Sequence, residues 1–432
     1  MKTTSKLVAR SSHLEGSAEL RATAKRSYEM RKVYMDHAAT TPVDPAVMKA
    51  MTPYFSNIYA NPSSLHSTGQ KALESVKQAR KKIAEILNGH EDEIIFTSGG
   101  TESDNLAVLG TVSSYKLQDT SNKSKPHVIT TEIEHHAILE PLAYLEKTGK
   151  IELTKIKPGA DGIVDAKEVL AAIRSNTILV SIIHANNEIG TIQPIEEIGK
   201  GILKWRKANA SIYPYFHTDA CQSAGYLDLN VEKLHVDLLT LNGGKIYGPK
   251  GIGLLFVRRN TKIQPILRGG GQEKGLRSGT ENVPSIIGLA KALDLVFAHK
   301  DDEVARLEFL RDRLIKGLLR IPKTRLNGHA EKRLPNNVNI SFMDIEGEAS
   351  MLYLDAKGVQ CSTGSACASS SLDPSHVILA LGMSYEAAHG SLRFSLGKST
   401  TKADVDYVIK IMPGIVERLR KMSPVSLDMK HF

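Results

Sequence analysis

Short apolar runs recur along the chain, and their lengths and neighbours predict a regular alternation of elements. "EIIFT" (93–97), "HVIT" (127–130), "TILVSIIH" (177–184), "SIYPYFHTD" (211–219) and "VDLLTL" (236–241) are rich in β-branched or aromatic residues. Gly, Asn, Asp or Ser bounds most of them, as expected for strands that end in turns. Between several lie stretches with apolar residues three and four apart, such as "QKALESVKQARKKIAEIL" (70–87), the spacing of one helical face. Apolar strands alternating with helices predict a mostly parallel sheet covered on both faces.

Near residue 298 the pattern changes. "DDEVARLEFLRDRLIKGLLRI" (301–321) predicts a long charged amphipathic helix, followed by short strands at "NNVNISF" (336–342) and "SLRFSL" (391–396) and a last helix over about 402–421. This grammar predicts a second, smaller α/β domain. Residues 1–33 are polar and rich in Ser, Lys and Arg, which predicts a flexible basic tail. A transit peptide is the alternative, opposed by three Glu in the same stretch.

Composition narrows the function. The chain has 432 residues, 41% of them hydrophobic, enough for a large core and more than one domain. No run approaches the roughly 18 apolar residues of a membrane span, and the N-terminus lacks the apolar segment of a secretory signal. Net charge is +9, from 56 Lys+Arg against 47 Asp+Glu. Residues 1–33 hold four Lys, four Arg and three Glu, or +5, leaving +4 for the rest. The excess describes a tail rather than a nucleic-acid surface, so no direct nucleic-acid partner is expected. Three cysteines, Cys221, Cys361 and Cys367, are too few and too odd for a disulfide scaffold. They fit a reducing, cytoplasmic compartment, and none has zinc spacing, so no metal is expected.

The chemistry gathers around "LTLNGGKIYGPKGIG" (239–253). Lys245 follows Gly244, but Ile246 and Leu239 stand where a P-loop needs Ser/Thr and its first Gly, so the nucleotide reading fails. In open α/β sheets ligands sit beyond the carboxyl ends of strands. Here those ends carry unusual residues: "IIFTSGGTESDNLAV" offers a Gly-rich turn and free helix N–H groups around Gly99, Gly100 and Thr101, an anion seat. "ITTEIEHHAIL" brings His135, "SIIHANNEIG" brings Asn186 and Asn187, and "FHTDACQSAG" brings Asp219 and Gln222. Singly, each reads as a turn, a cap or a satisfied core residue. Jointly, a phosphate seat, a lysine, an acid and an imidazole match the needs of pyridoxal 5'-phosphate: a Schiff base to the lysine, an acid at the pyridine nitrogen, and a ring to stack and move protons.

From about Tyr34 to Pro424 the chain resembles the class V aminotransferase-like, PLP-dependent cysteine desulfurases of the NifS/IscS type. The resemblance is carried by "MDHAATTPVDP", "NPSSLHSTGQ", "FTSGGTESDN", "HANNEIGTIQPI", "HTDACQSAG", "KIYGPKGIG", "GGGQEKGLRSGTENV", "CSTGSACASSSLDPSHVILALG" and "SLRFSLG", in that order. It implies a PLP-dependent transferase of fold type I, an α/β homodimer. The large, mostly parallel domain would span 44–297, and 34–43 with 298–432 would form the small domain carrying the catalytic cysteine. By position it implies Lys245 as the Schiff-base lysine, Asp219 at the pyridinium nitrogen, and Gln222 and Asn187 near the phenolic oxygen. His135 would stack on the ring and serve as acid/base. Gly100, Thr101 and Asn242 would sit at the phosphate, with Thr280 reaching it from the other subunit. Arg393 would hold the substrate carboxylate, Asn187 would also face the substrate, and Cys367 would accept sulfur. The family usually has Ser and His where this chain has Asn242 and Gly244.

The implied reaction converts L-cysteine to L-alanine and leaves a persulfide on Cys367. That sulfur would pass to a protein acceptor, an iron–sulfur scaffold or a sulfur carrier, for cluster assembly or tRNA thiolation. Rival readings are a selenocysteine lyase, a class V transaminase, which needs no Cys367, and a non-catalytic PLP-fold scaffold. A mitochondrial location is the alternative if residues 1–33 act as a transit peptide.

Overall fold

The computed structural model describes residues 31–118, 125–363, 373–424 and 426–427. Cys367 and nearly all of the expected N-terminal tail lie outside the described residues. The main sheet has seven strands: β1 (Ile94–Thr97), β2 (His127–Thr131), β3 (Glu152–Ile156), β4 (Thr177–Ser181), β5 (Tyr215–Asp219), β6 (Leu238–Asn242) and β7 (Gly253–Val257). Their spatial order is β1-β7-β6-β5-β4-β2-β3. Only β7 is antiparallel to its neighbours, β1 and β6; every other pairing is parallel. Six strands, β1 to β6, therefore end along the same edge.

Successive side chains point to opposite faces of a strand, and both faces are covered here. Phe96, Ile129, Leu239 and Leu254 join a core with α1 (Ser67–Leu87), where Ile83 and Leu87 are fully buried. Ile95, Val128, Leu238 and Leu255 join the opposite core with α2 (Gly100–Gln118) and α3 (His136–Lys147), through Leu106, Val112, Ile138 and Leu142. This two-sided burial explains why the strands read as apolar runs rather than alternating ones.

α4 (Val283–Ala298) packs back on α1, and α5 (Lys300–Leu318) leads to a four-stranded antiparallel sheet. Its strands are β8 (Thr324–Leu326), β9 (Asn337–Phe342), β10 (Ser362–Thr363) and β11 (Ser391–Ser395), ordered β10-β11-β9-β8. A separate core joins Leu307, Leu314, Ile340, Phe342, Leu392 and Phe394 to Val405, Val408 and Met412 of the last long helix, α7 (Lys402–Met422), which follows the short α6 (His376–Ala380). Val33 and Met35 belong to that core as well, because Val33–Tyr34 pairs in parallel with Val359–Gln360. Among the described residues no helix is long and apolar enough to cross a membrane.

Candidate active site

Beyond the common edge of the parallel strands lies a cavity of about 340 Å³, lined by thirteen residues that include Lys245, Asp219, His135 and Arg393. Its size falls in the range of ~300–1,000 Å³ typical of small-molecule sites. A larger depression, about 540 Å³, lies between α5 and α7, but it holds no comparable group of acid, imidazole and lysine.

Three floor residues are oriented by their own neighbours in sequence, and two by the carbonyls of Ala38 and Ala39. Asp219 ends β5, is 6% exposed, and accepts the Cys221 backbone N–H at 2.9 Å. Asn242 ends β6, and its Oδ1 caps the one-turn helix 243–245 by accepting from Gly244 N at 3.1 Å. That turn lifts Lys245 over the cavity, where its Nζ donates to the carbonyls of Ala38 (2.8 Å) and Ala39 (2.6 Å). Gln222 Nε2 donates to the same Ala38 carbonyl at 2.9 Å. His135 caps α3: its Nδ1 accepts from Ala137 N at 3.1 Å. A backbone N–H can only donate, so the neutral ring carries its proton on Nε2. Burial lowers the proton affinity of His135, against the opposing charge of Asp219. The ring is thereby held neutral.

At the other side, the first turn of α2 presents Gly100 and Thr101 to the cavity. The leading N–H groups of a helix have no intrahelical partners and favour an anion. A methyl group built on Gly100 would stand 3.7 Å from Asn242 Nδ2, which places that amide donor beside the same seat. The same methyl would meet Cys221 Sγ at 2.7 Å, so the thiol fills the space that Gly100 leaves. Gly244 has no positive φ, and a methyl there would meet nothing closer than 3.4 Å.

The wall comes from the small sheet. Arg393 on β11 is 3% exposed; its Nη2 contacts Asp36 Oδ1 at 3.0 Å, and its Nη1 donates to the Asn187 carbonyl at 3.0 Å. Ser362 Oγ donates to the same Asp36 oxygen at 2.8 Å. Arg393 Nε and Asp104 Oδ1 are buried without a hydrogen-bond partner, and both residues line the cavity. The donor set suits pyridoxal phosphate: a helix N-terminus and an amide for phosphate, a lysine amine for an aldehyde, and a buried carboxylate for a ring nitrogen. The unpartnered guanidinium nitrogen suits a substrate carboxylate.

The structure thus gathers Lys245, Asp219, His135, Gln222, Asn187, Asn242, Gly100, Thr101 and Arg393 around one cavity. Thr280 is not among its lining residues and is exposed. Cys367 lies outside the described residues. Burial raises the thiol pKa of both other cysteines, which makes them poor nucleophiles. Sequence reasoning missed Asp104 and the carbonyls of Ala38 and Ala39. Asp104 carries a faint signal, a carboxylate one helical turn beyond Gly100; burial first, then the neighbouring Asp219, raises its pKa well above the usual range. Among the described residues no cluster of three His, Cys, Asp or Glu is placed to hold a metal ion.

Comparison with known proteins identifies the family. Residues 33–408 match the family described as Aminotransferase class-V. The chain is 51% identical over 401 residues to a "Cysteine desulfurase IscS" of Methanosarcina thermophila, covering 93% of this chain and 96% of that protein. It is 49% identical over 392 residues to "Cysteine desulfurase IscS 1" of Archaeoglobus fulgidus, covering 91% and 99%. A solved structure described as "NIFS-LIKE PROTEIN" superposes with a TM-score of 0.82 at 36% identity, covering 90% of this chain and all of that one. Another, "SspA in complex with cysteine", gives 0.72 at 37%, covering 84% and 99%.

Proposed function

Given that this chain belongs to the class-V aminotransferase family and is a PLP-dependent cysteine desulfurase, we propose that the cavity beyond β5 and β6 is its active site and that Cys367 receives the sulfur. The observation that carries the assignment is the meeting of Lys245, Asp219, His135 and Arg393 on one cavity, although they come from separate stretches of the chain. Bound there, pyridoxal phosphate would supply an aldehyde for covalent attachment and a protonated ring that takes up the electron pair left when the α-proton departs.

The protein's part is then as follows. Gly100, Thr101 and Asn242 receive the phosphate, and Asp219 holds the ring nitrogen protonated. Lys245 would anchor the aldehyde, and its free amine would be placed to hold the α-proton of the substrate at Nζ. His135 would face the ring; an added proton has to enter at Nδ1, so its cap to Ala137 opens before it acts as a base. Arg393 meets the cysteine carboxylate with Nε, while Asp36 and Asn187 hold the other two nitrogens. Gln222 and Asn187 border the ring's phenolic side. The thiolate of Cys367 would attack the substrate sulfur; the C–S bond breaks with its electron pair left on the β-carbon, a proton there completes the methyl group of L-alanine, and the sulfur stays on Cys367 as a persulfide. The inertness of buried Cys221 and Cys361 supports this choice of thiol.

We read 44–297 as the cofactor domain and 34–43 with 298–432 as the small domain, on the strength of their separate cores. A homodimer is supported by the exposure of Thr280 and of Phe55 (62%), Tyr59 (71%) and Leu65 (92%), apolar surface that a partner would cover. Onward transfer goes to a protein acceptor, an iron–sulfur scaffold or a sulfur carrier, in the cytoplasm. The test is to mix purified protein with L-cysteine, measure alanine and sulfide in the presence of a reductant, and locate the persulfide by mass spectrometry. The expected mass shift is on the peptide containing Cys367; a shift on Cys361 or Cys221 overturns the assignment.

A further inference from the structure

One loop, residues 269–281, braces the phosphate seat from both sides. Before the seat runs β1, an edge strand, so one side of its backbone faces no neighbouring strand of the sheet. Buried Glu273 covers that side: its Oε2 accepts from Phe96 N at 2.9 Å, and its two oxygens hold the Arg80 guanidinium of α1 at 2.6 and 3.0 Å. Arg80 also donates to the Ile94 carbonyl of the same strand. After the seat, Arg277 Nε donates to Glu102 Oε1 at 2.9 Å. Glu102 directly follows Thr101 in the first turn of α2, and its Oε2 accepts from Ser98 N at 2.8 Å. The Glu102 carboxylate therefore closes the turn that carries Gly99, Gly100 and Thr101, and Arg277 sits on that carboxylate.

The place of Arg277 is fixed by more than that one bond. The loop backbone is left-handed at Glu273 (φ 47°) and Lys274 (φ 59°), a conformation that residues with a Cβ keep only where their surroundings enforce it. The grip of Glu273 on Arg80 and Phe96 N enforces it here. Beyond Arg277, Ser278 Oγ donates to the Gly270 carbonyl at 2.7 Å, and Gly279 N donates to Gln272 Oε1 at 3.0 Å. Anchors on either side thus deliver the guanidinium to the start of α2.

A carboxylate in the first turn of a helix favours the helix itself, but it opposes any second anion at the same end. Burial alone would raise the Glu102 pKa; the bonds from Arg277 and Ser98 outweigh it and hold the carboxyl below its usual range, so Glu102 is charged at neutral pH. We propose that Arg277 is a positioning residue for the cofactor phosphate: its guanidinium cancels the charge of Glu102, which can then close the turn at Ser98 without repelling the phosphate. The proposal rests on the assignment of the phosphate to Gly100 and Thr101.

The test titrates the full-length protein, freed of its cofactor, with pyridoxal 5'-phosphate and with pyridoxal, which lacks the phosphate. Arg277→Gln keeps a donor toward Glu102 but loses the charge, and should bind pyridoxal phosphate about tenfold more weakly at low salt. Glu102→Gln keeps an acceptor for Ser98 N and should bind it more tightly than wild type. The double variant restores the charge balance and should return close to wild-type affinity. Pyridoxal should show none of these shifts, and with pyridoxal phosphate they should shrink as salt is added. A merely structural ion pair behaves differently: both single variants then bind the cofactor more weakly, and the double variant is no better than either. That outcome, equal shifts with pyridoxal, or wild-type affinity in all three variants overturns the proposal. Thr101→Glu places a charge on the seat itself and should cost pyridoxal phosphate, but not pyridoxal, at least ~10-fold in affinity. If it leaves the binding of pyridoxal phosphate unchanged, the phosphate lies elsewhere, and the premise fails separately from the role of Arg277.

Discussion

The floor and the wall of the active-site cavity are built by opposite means. On the floor, three side chains are oriented by residues two positions away: Asp219 by Cys221 N, Asn242 by Gly244 N, His135 by Ala137 N; Lys245 and Gln222 reach the distant Ala38 carbonyl. On the wall, Arg393 is oriented by Asp36, 357 positions distant, and by Asn187, 206 positions distant. The capped part of the floor can take shape as soon as a strand ends in its turn. The wall exists only when two sheets have docked and β11 has found its register with β9 and β10, which sets Arg393 opposite Asn339 and Ser362. On the proposed assignment, local caps help shape the covalent site, and the tertiary fold sets the arginine that would receive a carboxylate.

The sharpest way to probe the floor is to remove its amine. Lys245→Ala should lower alanine formation from cysteine by at least ~10³-fold, since a covalent group has no substitute nearby. Far-UV circular dichroism and the thermal midpoint should barely move, because the floor's caps do not use that side chain. Near-normal turnover by this variant would break the comparison at its root.

On the wall, Arg393→Lys should raise KM for cysteine by about 10- to 100-fold, with a smaller loss in kcat. Lysine keeps the charge but loses the planar fork, and a hydrogen bond to a charged group is worth roughly 1.5–3 kcal/mol. An unchanged KM would mean that the carboxylate is held elsewhere.

Two glycines on the floor sharpen the contrast further. Gly100→Ala should destabilise the protein by about 1–3 kcal/mol in denaturant titrations, the cost of overpacking against Cys221, and Cys221→Ala should restore much of it. Gly244→Ala should shift stability by no more than ~0.5 kcal/mol, because its added methyl meets only ordinary contacts. Comparable losses in both single variants would show that crowding around Cys221 is not what confines Gly100.

The same division explains what could be read from the sequence. The apolar runs marked β1, β2, β4, β5 and β6 because two covered faces leave a continuous apolar signal. β3 escaped notice because it lies at the sheet's edge and only Ile156 of its five residues is buried. β7 escaped because it follows directly on "GPKGIG", where glycines suggest a turn rather than a strand. "SIYPYFHTD" yields a strand only from Tyr215, since Pro214 interrupts its first half. Floor residues were legible because each sits in a short motif with its cap. Asp36, the carbonyls of Ala38 and Ala39, and Asp104 were not, since nothing local distinguishes a residue that matters only for what the fold later sets beside it. Arg393 came from family likeness alone; in isolation it reads as a surface charge.

The contact between Gly100 and Cys221 has a consequence for how this chain can change over generations. The two positions form a lock with one order of opening. A side chain at 100 is excluded while a thiol fills the space, whereas shrinking residue 221 to alanine leaves only a small void and harms little. A lineage leaving this pair would therefore pass through alanine at 221 before gaining bulk at 100, and the reverse order would be met by selection at once. The two residues lie 121 positions apart. In evolutionary terms they are a single heritable character, and related chains should carry their states in matched combinations.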